Sequence, residues 1–223
     1  MKQAAISVDI NQQVLMEKAK QNGGNLNSLI MSVLSLSLKQ YLQEEAHDTK
    51  TERIQLAIPL SLREKPKHIT DFDVNNDLQV LPFRLRLFDK FEDAFPAVAS
   101  DLGKITTSLT PFGAAHMHKV IMRFPSFVRF WILNDFSKRF TFSYNFVHGP
   151  RSPNKLGQSH SISQAFFGVS ICTMSGQISV FCHNGKVKVT IVADKAAMKH
   201  PQKLMDIFYG KLTEVCGPKW RST

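Results

Sequence analysis

Near the end of the chain two strand-like runs, QISVFCH (177–183) and KVKVTIVA (186–193), are separated only by Asn184-Gly185. That spacing fixes them as an antiparallel hairpin. Asn and Gly both accept positive φ, as the two central residues of a type I′ turn must, and the twist of that turn matches its flanking strands. Two further strand-like runs, FTFSYNFV (140–147) and SQAFFGVSIC (163–172), come before the hairpin, and Ser175-Gly176 supplies a turn between them and it. The expectation for the last third is therefore an antiparallel β-meander, closed by a helix from about 197 to 215 with Leu204, Ile207, Phe208 and Leu212 on one face.

A sheet needs helices to cover it, and the first half supplies them. AAISV (4–8) reads as a short strand, and residues 10–21 as a helix stopped by Asn22-Gly23-Gly24. From Asn27 to Glu45 the residues Leu29, Ile30, Val33, Leu34, Leu38, Tyr41 and Leu42 recur at three- and four-residue spacing, with Asn27 placed to cap. Residues 53–60 and 78–88 read as strands flanking a polar loop, 63–77. Residues 89–109 read as a helix bent or interrupted at Pro96, and 112–139 as a second helical region broken at Pro125. Helices alternating with strands, then an antiparallel run, define an α/β chain: a two-layer sandwich with a mixed sheet, helices on one face, in a single domain over 1–223.

Composition narrows the partners. With 28 Lys and Arg against 18 Asp and Glu, the chain suits anionic lipid or a phosphorylated ligand such as CoA. No run of five like charges and no interleaved aromatic and basic motif occurs, so nucleic acid is not the expected partner. The three cysteines, Cys172, Cys182 and Cys216, have neither metal-ligand spacing nor the density of a disulfide scaffold, which points to an intracellular, reducing setting. No signal peptide or membrane-spanning run is expected, only a cytosolic chain or one peripheral on a membrane such as the endoplasmic reticulum.

Five segments in order resemble one family, that of wax ester synthases and diacylglycerol acyltransferases in the CoA-dependent acyltransferase superfamily. GGNLNSLIMSVLSLSLKQYL (23–42) is similar to its Gly-rich turn, Asn-Asp pair and long apolar helix, and IPLSLR (58–63) to its Pro-Val-Ser-Leu-Arg stretch. Asn75-Asn76 to Leu81-Pro82 is similar to its following strand, FTFSYNFVHGP (140–150) to its Ser-Asn-Val-x-Gly-Pro signature, and GQISVFCHNGKVKVTIVADKAAM (176–198) to its terminal hairpin.

The resemblance implies the C-terminal of two similar-sized halves. In the family the motif His-His-x-x-x-Asp-Gly sits in the N-terminal half, and its second His is the general base that prepares the acceptor hydroxyl to attack the acyl-CoA thioester. This sequence does not contain that motif; His116-Met117-His118, His68 ahead of Asp71, and His160 are its nearest approaches. The implied function is half of an O-acyltransferase of triacylglycerol or wax ester synthesis, inactive alone. It has no catalytic residue of its own, acyl-CoA as co-substrate, no covalently bound cofactor, and a partner chain supplying the N-terminal half. The alternative is a degenerate acyltransferase-like domain serving as a structural or binding subunit.

Residues carried over from the family have two readings each. Asn27 either orders the tunnel between the halves or caps its helix, with capping the leading reading. Ser28 stands where the family has Asp, and Arg63 is either a solvated loop residue or a contact to CoA phosphate. Asn145 falls in a signature that is one residue longer than the family's or differently registered, and Gly149 and Pro150 form either a turn that shapes the cleft or a ligand contact. A last candidate is the stretch 120–140, where Arg123, Arg129, Lys138 and Arg139 flank Phe127, Phe130, Trp131 and Phe136. It reads either as a helix covering the sheet or as a basic amphipathic helix resting on a membrane or lipid droplet.

Overall fold

The computed structural model describes residues 1–62, 78–150, 152–153, 155–156, 160–162, 164–168 and 174–222. In chain order the elements are β1 (Lys2–Ile6), β2 (Ile10–Asn11), α1 (Gln12–Gln21), α2 (Leu26–Glu45), β3 (Arg53–Ser61), β4 (Leu78–Arg86), α3 (Phe91–Thr107), α4 (Thr110–Ile121), α5 (Ser126–Lys138), β5 (Phe142–His148), β6 (Lys155–Leu156), β7 (His160–Ser161), β8 (Gly176–His183), β9 (Lys186–Asp194) and α6 (Pro201–Cys216), followed by a 3-10 turn, Pro218–Trp220. The polar loop at 63–77, with Arg63, His68 and Asn75-Asn76, lies outside the described residues, as does Cys172.

The main sheet is mixed, in the order β1-β9-β8-β5-β3-β4, with β2 also paired to β9. The Asn184-Gly185 hairpin is present: His183 pairs with Lys186, and both turn residues have positive φ, 49° and 72°. The antiparallel run is shorter than four strands, however. β5 lies parallel to β8, with Phe142 opposite Gly176 and His148 opposite Cys182, so the chain crosses back between them. Of the run 163–172, residues 164–168 form no strand and the rest lies outside the described residues. What joins β8 and β9 in antiparallel order is β1, arriving from the start of the chain. Alternating side chains reveal a strand but not its direction, and only a two-residue turn fixes both.

α1 is capped by Asn11, whose Oδ1 accepts from the amides of Gln13 and Val14 at 3.0 and 3.3 Å. It stops in a Schellman turn: the amides of Gly23 and Gly24 donate to the carbonyls of Lys20 and Ala19, and Gly23 holds a φ of 77°. α3 continues through Pro96 without interruption, and the break expected at Pro125 is real, falling between α4 and α5.

α2 is not the one-faced helix that its spacing suggested. Residues 28–38 are buried all round, including Ser28, Ser32, Ser35 and Ser37. Small serines let α3 and α6 approach closely, and their hydroxyls find carbonyls: Ser32 donates to Ser28 at 2.7 Å, Ser37 to Val33 at 2.7 Å, and Ser35 to Arg86 at 2.6 Å. One hydrophobic cluster unites α1, α2, α3 and α6 with one face of the sheet, through Leu29, Val33, Leu204, Phe208, Ile178, Val180, Val189 and Ile191.

Candidate functional site

With the helices gathered on one face, the other face of β5, β8 and β9 is left for something else, and it is polar. Side chains alternate along a strand, so the residues between the core positions share this second face. Register places them in rows: Ser143, Gln177 and Val192; then Asn145, Ser179 and Thr190; then Val147, Phe181 and Lys188. Asn145 therefore points away from the core, and its Nδ2 reaches Ser143 Oγ at 3.5 Å.

This face is buried despite its polarity. Gln177, Ser179 and Thr190 are 2%, 1% and 4% exposed. The segment 164–168 lies over part of it: a Cβ on Gly168 would come within 2.8 Å of Val192 Cγ2, and Phe167 meets Phe181 edge-on at 5.9 Å. Ser179 Oγ and His183 Nε2 are enclosed and find no hydrogen-bond partner among the described residues. The family resemblance indicated Asn145 but not Ser179, Thr190 or His183. Their signal was Gln177, Ser179 and His183 recurring at two- and four-residue intervals inside an otherwise apolar strand.

Beside β9, Asp9 sits between two lysines, with Oδ2 2.7 Å from Lys186 and Oδ1 2.7 Å from Lys188. Burial works to raise its pKa, but the hydrogen bonds and charges of the two lysines outweigh it and hold the carboxyl below the usual range.

Gly149 and Pro150 extend the β5–β8 pairing beyond His148. The Gly149 amide donates to Cys182 O at 2.7 Å, and the Asn184 amide donates to Pro150 O at 3.1 Å. A Cβ on Gly149 would lie 2.7 Å from both Cys182 O and Phe181 Cζ. The need for glycine here is thus a close backbone approach at the end of the β5–β8 pairing.

Asn27 does not cap α2. Asn25 does, its Oδ1 accepting from the amide of Ser28 at 2.9 Å and from the Ser28 hydroxyl at 3.1 Å. Asn27 is already inside the first turn, where its Oδ1 accepts the hydroxyl of Tyr144 at 2.7 Å. Three asparagines within six residues (22, 25 and 27) can each cap a helix, and only the position of Tyr144, 117 residues away, separates them. Ser28, in place of the family's carboxylate, spends its hydroxyl on the cap. Arg63 lies outside the described residues.

The aromatic stretch also departs from expectation. No residue of α5 is buried, and Phe127, Phe130 and Trp131 are 74%, 72% and 70% exposed. Its apolar residues are spread around the helix, because Val128, Ile132 and Phe136 lie off the line of Phe127, Phe130 and Trp131. It is neither a lid on the sheet nor a cleanly two-faced amphipathic helix.

The described cysteines are not activated. Burial pushes the Cys182 thiol up to about 12 and that of Cys216 to about 11, so neither is a thiolate at neutral pH. No group of three His, Cys, Asp or Glu able to hold a metal ion occurs among the described residues. A shallow groove of about 530 Å³ between α2 and α6, lined by Gln40, Lys203, Asp206, Ile207 and Glu214, lies on the helix side, away from the polar rows. No described helix is long and apolar enough to cross a membrane.

The fold is that of the condensation and acyltransferase domains. The condensation domain of the monacolin K polyketide synthase superposes with a TM-score of 0.66 at 10% identity, over 99% of this chain and 48% of that one. The cyclization-docking bidomain from Sorangium cellulosum gives 0.62 at 9% identity, over 100% and 43%. The wax ester synthase/diacylglycerol acyltransferase of Marinobacter aquaeolei gives 0.59 at 10% identity, over 96% and 48%. The chain spans about half the length of each structure. At such identities the likeness establishes fold alone, and no curated protein matches in sequence. Residues 76–215 match the WS/DGAT C-terminal domain, and the chain belongs to that family.

Proposed function

We propose that this chain is the C-terminal half of an O-acyltransferase of neutral-lipid synthesis, which acts together with a half bearing His-His-x-x-x-Asp-Gly. The observation that carries the reading is the family match over residues 76–215 in a sequence that does not itself contain that motif. In the reaction the second His of the motif takes the proton of an alcohol or diacylglycerol hydroxyl. The oxygen then bonds to the acyl carbonyl carbon, the C–S bond of acyl-CoA breaks, and CoA leaves as the thiol after protonation.

This chain's share is to form one wall of the site. Asn145, half-buried on the outer face of β5, offers its amide to the facing half or to the bound chain, and Gly149-Pro150 fixes the rim. The test is mixing with an N-terminal half: a one-to-one complex on a sizing column and acyl transfer to a long-chain alcohol are expected. Neither appearing would overturn the reading.

A second reading, a binding subunit without turnover, is favoured by one observation. Ser28 replaces the family's carboxylate, and its hydroxyl is committed to Asn25. A stable complex with no acyl transfer would select it.

A further inference from the structure

α4 and α5 form a projection whose apolar surface is turned outward. Phe112, Met117, Phe127, Phe130 and Trp131 are each more than half exposed, and α5 joins the body at its far end, where Phe136 meets buried Phe140 edge-on at 4.9 Å. The three most exposed apolar side chains of α5 sit at positions i, i+3 and i+4, within an arc of about 100° at 100° per residue. Lys138, three turns along, falls on the same line.

The charges around this stripe are one-sided. From Thr110 to Arg139 there are five Lys or Arg residues and one acid, Asp135. Asp135 is held by Arg139 at 2.6 Å, and Lys119, Arg123, Arg129 and Lys138 form no ion pair among the described residues. A net-positive segment with exposed Phe and Trp, and with Lys138 on their line, complements a surface that offers negative charge and apolar depth together. An apolar protein groove would satisfy the aromatics but leave the cations in water.

We propose that the α4–α5 projection docks on the surface of a bilayer containing anionic phospholipid, with Phe127, Phe130 and Trp131 entering the headgroup boundary and Lys138, on their line, meeting lipid phosphate. Aromatic rings settle at that boundary, and each cation near it strengthens partitioning about fivefold at low salt. This surface is separate from the polar rows of the sheet and holds whether or not the chain takes part in acyl transfer.

The experiment uses vesicles of phosphatidylcholine alone and of phosphatidylcholine with phosphatidylglycerol, read by flotation and by tryptophan emission. Of the two tryptophans, Trp131 is exposed and Trp220 is 1% exposed beneath Tyr209, so a blue shift reports Trp131. Flotation and a blue shift are expected with the anionic vesicles only, weakened by salt. K138E, a change of two charges on the stripe, should lower partitioning by about 25-fold on the same fivefold-per-charge scale, whereas R129E, on the far side of the helix, should lower it much less. Trp131→Phe should abolish the shift while Trp220 still emits.

No α5 residue is buried, so these variants keep the fold, which far-UV circular dichroism checks. Equal flotation with pure phosphatidylcholine overturns the proposal, as does equal binding to phosphatidylcholine-coated triolein. So does a projection that, in the absence of vesicle binding, pairs two copies of the chain or is covered by an N-terminal half.

Discussion

The contact between Asn27 and Tyr144 ties the first turn of α2 to the middle of the sheet, and removing it should cost far more than removing a surface hydrogen bond. The Tyr144 side chain is 1% exposed, and burial holds its hydroxyl protonated well above the ordinary tyrosine range. Asn27→Ala leaves that hydroxyl enclosed with no acceptor, at a cost of about 1–3 kcal/mol for an unsatisfied buried group. Tyr144→Phe removes the donor instead, and half-buried Asn27 turns its amide to water, at a cost of about 1 kcal/mol. With both changes nothing polar is stranded, so the double variant should be less destabilised than the sum by about 1 kcal/mol or more. The assay is urea unfolding of the four proteins at neutral pH, followed by circular dichroism. In heat, each kcal/mol should appear as about 2–4 °C for a chain of this size. Strict additivity, or a neutral Asn27→Ala, would refute the reasoning and return Asn27 to a merely local role. Asn25→Ala is the control: it removes the cap, costs about 1 kcal/mol, and should not couple to Tyr144→Phe.

Two further outcomes follow from the same rows and rims. Asp9→Asn leaves Lys186 and Lys188 without their counter-charge, and Lys188, with its side chain 10% exposed, should make this cost about 2–4 kcal/mol in urea unfolding at pH 7. Because the folded carboxyl lies below its unfolded value of 3.8, the advantage of Asp9 is complete above that pH and fades as pH falls through the lowered folded value, so wild type and variant should converge in acid. Gly149→Ala drives a methyl against Cys182 O and Phe181 and should cost about 1–3 kcal/mol in the same assay, by forcing β5 away from β8.

Particular elements show what the sequence could and could not reveal. The hairpin was legible because Asn184-Gly185 encodes turn type, register and direction in two residues. The Schellman stop at Gly23-Gly24 and the break at Pro125 were legible for a similar reason, since backbone chemistry acts locally. The parallel pairing of β5 with β8 was not, because it depends on a crossover that no local pattern records. The cap of α2 was misplaced by two residues, since neighbouring asparagines are equivalent until Tyr144 arrives from 117 positions away. α5 was expected to cover the sheet or to be two-faced, and a run of aromatics cannot say which element, if any, packs on it. Within the candidate site, the family's pattern led to Asn145 and Gly149, while Ser179, Thr190 and His183 emerged only when register placed them together on one face.

The central claim is that this chain supplies one wall of an acyltransferase whose base lies in another half. The most direct measurement is acyl transfer from a long-chain acyl-CoA to a long-chain alcohol by three samples: the chain alone, the chain with an N-terminal half, and the chain with that half carrying Ala at the second His of its motif. The account predicts product in the second sample only. Product from the chain alone, or from the third sample at the rate of the second, would place a base within these residues and contradict it.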